Sequence, residues 1–108
     1  MKTQAPVGLI ESALESARRV LAIESSAVAA LSSRLDQRFV QAVNMILACR
    51  GRTVVSGMGK SGHIAGKIAS TLASTGTPAF FVHPAEASHG DLGMITAQDV
   101  MIALSNSG

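Results

Sequence analysis

The stretch Thr53-Val-Val-Ser-Gly-Met-Gly-Lys-Ser-Gly-His63 decides the fold of this 108-residue chain. Its β-branched residues favour a short buried strand, and its glycines favour a tight turn that opens into a helix of small residues. A strand, a glycine loop and a helix N-terminus together point backbone N–H groups and the positive end of a helix dipole at one spot. The stretch therefore predicts an anion site, most often for a phosphate, at the end of a strand.

Two amphipathic helices are predicted ahead of this stretch. Apolar residues recur at helical spacing over residues 7–31 and again over residues 39–47. Ser32-Ser33 is the predicted cap of the second helix, and Gly51 stands where a glycine commonly follows a helix end. Residues 1–6 are expected to form a loose tail.

Strands and a helix alternate in the rest of the chain. The pattern predicts strands at 53–56, 79–82 and 100–104, a helix from 61 to about 75, and a polar connection at 86–91. A strand–helix–strand unit with a tight loop implies a right-handed parallel crossover, hence an α/β layered fold. We therefore expect N-terminal helices over residues 1–52 and the first half of a domain over 53–108, the chain being the N-terminal part of a longer protein.

Composition limits the classes of function. Hydrophobic residues make up 47% of the chain and charged residues only 15%, so we expect a partner subunit or further sequence to cover part of the surface. With a net charge of +2, three Phe and no Trp or Tyr, the chain lacks the aromatic set that stacks bases, and nucleic acid is not an expected partner. A single cysteine, Cys49, fits a reducing cytosol. No signal peptide or membrane span is evident, so the predicted location is cytoplasmic.

Two familiar phosphate motifs fit the glycine loop poorly. A nucleoside triphosphatase loop needs a glycine where this chain has Val54. Glycines 57, 59 and 62 do match the dinucleotide fingerprint, but that motif also needs an acidic residue at the close of the second strand. Here the second strand closes with Val82-His83-Pro84 and Glu86 comes late, so a dinucleotide is the weaker alternative.

A sugar phosphate fits the pattern better. Two hydroxyl-rich loops, at residues 57–62 and 105–108, are predicted to end neighbouring strands on the same edge of the sheet. Ligands of open α/β sheets bind at that carboxyl edge. Ser61, Ser105 and Ser107 are therefore the predicted hydroxyl donors to a phosphate, beside backbone N–H groups such as that of Gly59.

Five motifs in order closely resemble the SIS (sugar isomerase) domain and, more narrowly, the arabinose-5-phosphate isomerase family. They are Gly57-Met-Gly-Lys-Ser-Gly-His63, Ser74-Thr-Gly-Thr-Pro78, Phe81-Val-His-Pro84, Ala87-Ser-His-Gly-Asp-Leu-Gly-Met94 and Ser105-Asn-Ser-Gly108. The resemblance implies a three-layer αβα sandwich with a parallel, flavodoxin-like sheet, of which this chain holds the N-terminal part preceded by two helices. It also implies a cytoplasmic homotetramer that interconverts ribulose 5-phosphate and arabinose 5-phosphate for Kdo and lipopolysaccharide synthesis.

Two residues are the predicted catalytic groups. Aldose–ketose isomerisation needs a base to move a proton between C1 and C2, and an electrophile to stabilise the enediolate oxygen. We expect the Lys60 ammonium to be that electrophile or acid, with a plain phosphate clamp as the alternative, and the resemblance places a catalytic lysine at this position. His89 suits proton shuttling or a sugar contact, which the resemblance also implies, the alternative being a loop histidine bonded to backbone. The resemblance places two glutamates and another histidine past Gly108, so we expect the chain alone to be inactive.

The resemblance implies further substrate contacts at Gly76, Thr77 and His83. Our topology puts Gly76 and Thr77 at the opposite edge of the sheet from Gly57, where they reach a substrate only if it lies in a neighbouring subunit's site. The family shows metal contact at the residue matching His83. A His-x5-His spacing without a cysteine is a weak zinc signature, so we expect adventitious or inhibitory zinc and no required cofactor.

A second function from another class is a non-catalytic SIS module that senses a sugar phosphate and regulates a partner. Its sequence mark would be a DNA-binding helix-turn-helix ahead of the domain. The N-terminal helices are neither basic nor spaced for one, which favours the enzyme.

Overall fold

The computed structural model describes residues 6–108. The loose tail predicted at the N-terminus lies, apart from Pro6, outside the described residues. The chain forms two compact units that divide between Phe39 and Val40. Within the described part, no helix is both long and apolar enough to cross a membrane.

The first unit contains helix α1, Val7–Ala30, and a single 3₁₀ turn, Leu31–Arg34. The predicted first helix is confirmed, but none of its residues is buried. Leu14, Leu21 and Val28 recur every seven residues and are 48%, 66% and 68% exposed. An apolar stripe of this length on a surface helix is typical of a face that packs on another chain segment.

Helix α2, Gln37–Ala48, begins at an aspartate. The Arg38 N–H donates to Asp36 Oδ1 at 2.9 Å, which makes Asp36 the cap. The Ser33 hydroxyl instead donates back to the Ala30 carbonyl at 3.1 Å. The prediction of a Ser32-Ser33 cap was therefore wrong, because the 3₁₀ turn carries the chain past these serines before α2 starts.

Three parallel strands form the sheet of the second unit: β1 Thr53–Gly57, β2 Ala79–Val82 and β3 Val100–Leu104. Their order is β2-β1-β3, with Ser56 opposite both Val82 and Ala103. The predicted strands and the α/β fold are confirmed. Since all three run the same way, their carboxyl ends meet at one edge. The hydroxyl-rich loops after β1 and β3 therefore lie at the same edge, as predicted.

Helix α3, Gly59–Ser74, covers one face of this sheet. Val55 packs against Ala65 and Ala69, and all three are buried. Alanine at these helix positions lets the helix axis lie close to the sheet. The helix begins two residues before the predicted Ser61, since extended Met58 is its N-cap.

The end of α3 is closed by a Schellman motif. Gly76 has a left-handed φ of 102°, its N–H bonds the Ala73 carbonyl at 3.4 Å, and the Thr77 N–H bonds the Leu72 carbonyl at 2.9 Å. The predicted glycine stop of this helix is confirmed.

Gly51 serves a different purpose from the one predicted. Helix α2 already ends at Ala48, and Gly51 is not among the glycines with positive φ. A Cβ at this position would lie 2.9 Å from the Gln98 carbonyl oxygen. This glycine therefore allows close contact between the chain entering β1 and the chain entering β3, rather than ending a helix.

The connection from β2 to β3 was predicted without regular structure, and that was wrong. It contains a short helix α4, Pro84–Ser88, and a second 3₁₀ turn, Asp91–Met94. Proline at the first helical position, Glu86 in the first turn and a histidine cap favour α4.

Candidate functional site

A cavity of about 450 Å³ opens at the carboxyl edge of the sheet, where β1 and β3 end. The glycine loop forms one wall and the serine loop after β3 forms the other. Its lining residues are Ser56, Gly57, Met58, Ser61, Pro84 and residues 103–108. The edge predicted to hold an anion is thus concave and bordered by both hydroxyl-rich loops.

Two glycines let α3 start directly against the end of β1. A Cβ on Gly57 would lie 2.9 Å from the Ser61 carbonyl oxygen and 3.1 Å from that of Leu104. A Cβ on Gly62 would lie 2.7 Å from the Gly57 carbonyl oxygen. Contacts this short exclude any side chain, so these glycines are needed for the close approach of strand and helix.

The N-terminus of α3 offers free donors to this cavity. The first N–H groups of a helix have no partner within it, and Met58 supplies no side-chain cap. The earliest helix bond here is from the Gly62 N–H to the Met58 carbonyl, at 3.1 Å. Gly59 has a φ of 58° and nothing within 4 Å of where its Cβ would lie, so backbone there is accessible to a ligand.

The loop after β3 is folded by its own first serine. The Ser105 hydroxyl oxygen accepts from the Gly108 N–H at 2.8 Å, which leaves the hydroxyl proton free to donate. Ser105 and Ser107 line the cavity together with Ser61. The structure thus brings the three predicted phosphate donors to one place, and their role stays a prediction.

Lys60 lies beside this cavity rather than in it. Its exposed side chain lines an adjoining hollow of about 420 Å³. That hollow shares Ser61, Ser105 and Asn106 with the first cavity. A ligand whose phosphate occupied the cavity would therefore have Lys60 next to the shared wall.

His83 and His89 stand at the two ends of α4, and both are bonded to the backbone of Ala85. The Ala85 N–H donates to His83 Nδ1 at 3.1 Å, whereas the distance from His89 Nδ1 to the Ala85 carbonyl is 2.7 Å. An N–H needs an acceptor and a carbonyl needs a donor, so the two rings hold opposite tautomers. Neutral His83 presents an N–H at Nε2, and neutral His89 presents a lone pair there.

Neither histidine is among the residues that line the carboxyl-edge cavity, although Pro84 is. His83 is half-buried and meets the Phe81 ring edge-on at 6.4 Å between ring centroids. His89 is exposed and lies just before Gly90, whose φ is 117°. The structure therefore places His89 on the connection beyond α4, separate from the phosphate donors.

Gly76 and Thr77 lie at the other edge of the sheet, as the topology predicted. They line a cavity of about 250 Å³ with residues from the end of α2 to the start of β1, among them Cys49 and Thr53. Thr53 is 1% exposed and its hydroxyl has no hydrogen-bond partner within residues 6–108. This cavity is not shared with Gly57 or Ser61.

Among the residues that the structure describes, His83 lacks the neighbouring ligands that a metal site needs. Across the described residues, no group of three or more His, Cys, Asp or Glu side chains is placed to hold a metal ion. Zinc at Nε2 of His83 would also move that ring's proton to Nδ1 and break the bond from the Ala85 N–H. The residues present do not fit a complete zinc site.

One pKa shift in this unit lies at the amino edge. The Arg52 backbone N–H bonds Asp99 Oδ1 at 2.7 Å and, as the next cause, the Thr96 N–H bonds Asp99 Oδ2 at 2.7 Å. These bonds lower the pKa of Asp99. The carboxylate is therefore a structural acceptor at the edge opposite the candidate site.

Sequence reasoning did not single out several residues of the cavity lining, among them Met58, Pro84 and Asn106. Asn106 lies within the serine loop, so the argument that selected Ser105 and Ser107 applies equally to its amide. Met58 and Pro84 are apolar wall residues, and their types carry no chemical signal.

The fold and the site define an α/β protein with a cavity between two hydroxyl-rich loops at the carboxyl edge of a parallel sheet. Residues 46–108, more than half of the chain, match the model of the SIS domain. The chain therefore belongs to the SIS domain family.

Curated relatives and a solved structure agree with this assignment. The arabinose 5-phosphate isomerase KdsD of Pseudomonas aeruginosa is 62% identical over 95 residues, which is 88% of this chain and 29% of that protein. GutQ of Escherichia coli K12, also an arabinose 5-phosphate isomerase, is 60% identical over 98 residues, or 91% of this chain and 30% of that protein. The chain thus spans about 30% of the length of these relatives.

The structure of c3406 from E. coli CFT073, in complex with A5P, superposes with a TM-score of 0.84. It is 42% identical to this chain and covers 89% of it, and the match takes in 51% of that protein. The shared fold over most of the chain confirms the predicted α/β architecture.

Proposed function

We propose that this chain is the phosphate-binding part of an aldose–ketose isomerase that interconverts ribulose 5-phosphate and arabinose 5-phosphate. The observation that carries the proposal is the carboxyl-edge cavity, where Ser61 and the loop 105–108 meet at the N-terminus of α3. The curated relatives bear the name of this activity, and A5P binds the structurally similar c3406.

The phosphate would be held by hydroxyls and helix N–H groups. Ser61, Ser105 and Ser107 in the cavity lining supply the hydroxyls, and the open backbone at Gly59, beside that lining, supplies an N–H donor. The uncapped N-terminus of α3 adds a partial positive charge. A dianionic phosphate matches a site with several donors and no carboxylate in its lining.

Lys60 and His89 would act on the sugar. Isomerisation moves one proton between C1 and C2, and negative charge develops on the enediolate oxygen. The Lys60 ammonium stabilises that charge from the adjoining hollow. His89 accepts the proton of one sugar hydroxyl at Nε2, since its Nδ1 is held by the Ala85 carbonyl, and returns it to the neighbouring oxygen as the carbonyl moves between C1 and C2. The proposal assigns the base that moves the carbon-bound proton to residues beyond this chain.

No cofactor is part of this proposal, and zinc at His83 would inhibit. Metal binding at Nε2 removes the cap of α4, as described above. His83→Asn provides the test, because asparagine is a good N-cap without an imidazole ligand. Zinc should inhibit the wild type more strongly than this variant, and equal inhibition of both contradicts the assignment.

Assembly and setting complete the proposal: a cytoplasmic homotetramer that supplies the Kdo pathway of lipopolysaccharide. The exposed apolar stripe of α1 supports oligomerisation. The position of Gly76 and Thr77 at the amino edge supports a role in a neighbouring subunit's site. Light scattering on the full-length protein tests the tetramer, and a monomer at micromolar concentration contradicts it.

The central experiment compares two lysines of α3 in the full-length protein. Lys60→Ala should lower the kcat for ribulose 5-phosphate by about 100-fold, which is typical for loss of one group that stabilises an oxyanion. Lys67→Ala, an exposed lysine on the same helix, should change kcat less than about twofold. If Lys60→Ala stays within about threefold of wild type, below roughly 1 kcal/mol, the electrophile assignment is wrong.

Calorimetry separates this proposal from its alternatives. Arabinose 5-phosphate should bind, and NAD should not. Tight binding of NAD would favour the dinucleotide reading of the glycine loop. Binding of the sugar phosphate without turnover by the full-length protein would favour a regulatory module.

A further inference from the structure

The connection that carries His89 is lightly packed. None of residues 84–99 is buried, and α4 packs mainly on the 3₁₀ turn Asp91–Met94 that follows it. A surface segment with so little buried area depends on hydrogen bonds for its position.

Among the described residues, the hydrogen bonds between residues 84–99 and the chain before β1 come from the short segment 49–52 that leads into β1. The Cys49 thiol and the Gly51 N–H both donate to the Gln98 carbonyl, at 3.4 and 3.1 Å. The Arg52 N–H donates to Asp99. The Arg52 guanidinium donates to the Met94 carbonyl at 2.8 Å. Of these four contacts, only the last reaches the 3₁₀ turn.

The same guanidinium also lies on β2. Its central carbon is 4.3 Å from the centroid of the Phe80 ring, a distance at which a cation is attracted to an aromatic face. The Arg52 side chain therefore joins the strand that leads into α4 to the turn that leaves it. His89 lies between these two fixed points.

We propose that Arg52 is a positioning residue for His89. It acts through the Met94 carbonyl and the 3₁₀ turn, which set where the C-terminal end of α4 sits. This inference rests on the proposed function, in which His89 contacts the sugar. Arg52 touches no substrate itself, since it lies at the amino edge, where β1 begins.

The test combines kinetics with a double-mutant cycle in the full-length protein. Arg52→Gln should lower kcat/KM by about tenfold, because small misplacements of reacting groups have effects of this order or larger. Arg52→Lys keeps the charge over Phe80 and one donor, and should recover part of the loss. Arg50→Gln, an exposed arginine two residues away, is the matched control and should behave as wild type.

In a His89→Ala background, Arg52→Gln should have almost no further effect, because the group that it positions is gone. An undiminished effect in that background, or wild-type kcat/KM in Arg52→Gln, overturns the inference. The ¹⁵N signals of the His89 ring give a second readout. They should shift in Arg52→Gln, because the surroundings of the ring change, and stay at their wild-type positions in Arg50→Gln.

Amide hydrogen exchange, measured by NMR, separates this inference from the proposed function. If the full-length protein turns over no pentose phosphate, the proposed function fails. Amide exchange that is faster in Arg52→Gln only over residues 85–98 would then still support positioning by Arg52. Unchanged exchange there would overturn it.

Discussion

The two edges of the sheet are built in opposite ways. At the amino edge, the charged side chains of Asp99 and Arg52 are paired: both Asp99 oxygens accept backbone N–H bonds, and the Arg52 guanidinium is bonded and stacked. At the carboxyl edge, the glycine loop has no side-chain cap, and the backbone at Gly59 is open. The difference indicates that the amino edge stabilises the unit, whereas the carboxyl edge leaves backbone donors accessible.

The comparison also explains the two kinds of glycine. Gly57 and Gly62 permit backbone contact under the cavity, while Gly51 permits it at the amino edge. The same residue type thus permits close backbone contact in the glycine loop at one edge and at the junction between the chain segments entering β1 and β3 at the other. Substitutions at the two edges should therefore differ in their effects on binding and on stability.

The largest effect is expected at the carboxyl edge, for Gly62→Ala. The new methyl would meet the Gly57 carbonyl oxygen at 2.7 Å, so overpacking should destabilise the protein by about 2 kcal/mol and weaken arabinose 5-phosphate binding. Gly66→Ala on the same helix is the control, since nothing lies within 4 Å of its Cβ, and alanine should stabilise α3 by about 0.5–1 kcal/mol. Chemical denaturation and calorimetry measure both. Equal stability of the two variants would contradict the close-approach argument.

Intermediate effects on stability are expected for substitutions near the two ends of β1, and the two effects should have opposite signs. The Ser56 hydroxyl donates to the Val82 carbonyl, so Ser56→Ala should cost about 1 kcal/mol. The buried Thr53 hydroxyl has no partner in the described chain, so the isosteric Thr53→Val should stabilise by about 1 kcal/mol. Denaturant unfolding gives both values. A destabilised Thr53→Val would show that its hydroxyl is satisfied in solution.

The smallest effect is expected from Asp99 and should appear only in acid. Because hydrogen bonds lower the pKa of Asp99 below 3.8, its stabilisation is complete above that value and is lost as pH falls through the folded-state pKa. Asp99→Asn should therefore show a shallower loss of unfolding free energy than wild type between about pH 4 and pH 2. The lowered pKa of Asp36 is common to both proteins and cancels. Parallel curves would contradict a structural role for the Asp99 carboxylate.

The sequence was sufficient for the strands, their parallel order and the meeting of the two polar loops. These features depend on local signals: β-branched runs, the glycines after β1, and the glycine stop at Gly76. The separation of Gly76 from Gly57 followed from the direction of β1 and α3 alone. Hydrophobic periodicity and turn-forming residues are recognised within a few consecutive positions, so the sequence alone is enough to predict the elements that they specify.

The remaining features depend on contacts between distant residues. The position of the connection after α4 depends on Arg52 and Gly51 meeting residues 94–99, and no spacing rule joins them. Gly51 resembled a helix stop because its role is steric and its partner is 47 positions away, at Gln98. The cap of α2 was assigned to Ser32-Ser33 because no local signal separates the 3₁₀ turn Leu31–Arg34 from the start of α2, which Asp36 caps.

One residue, Ala85, sets the tautomers of two histidines without using its side chain. Its N–H and carbonyl bond His83 and His89 in opposite senses, so alanine here is exchangeable for other helix-forming residues. Relatives should therefore carry many different residues at position 85, but not proline, which has no N–H to donate. A comparison of side chains among relatives would pass over this position, although its peptide groups determine which imidazole presents an N–H at Nε2 and which presents a lone pair.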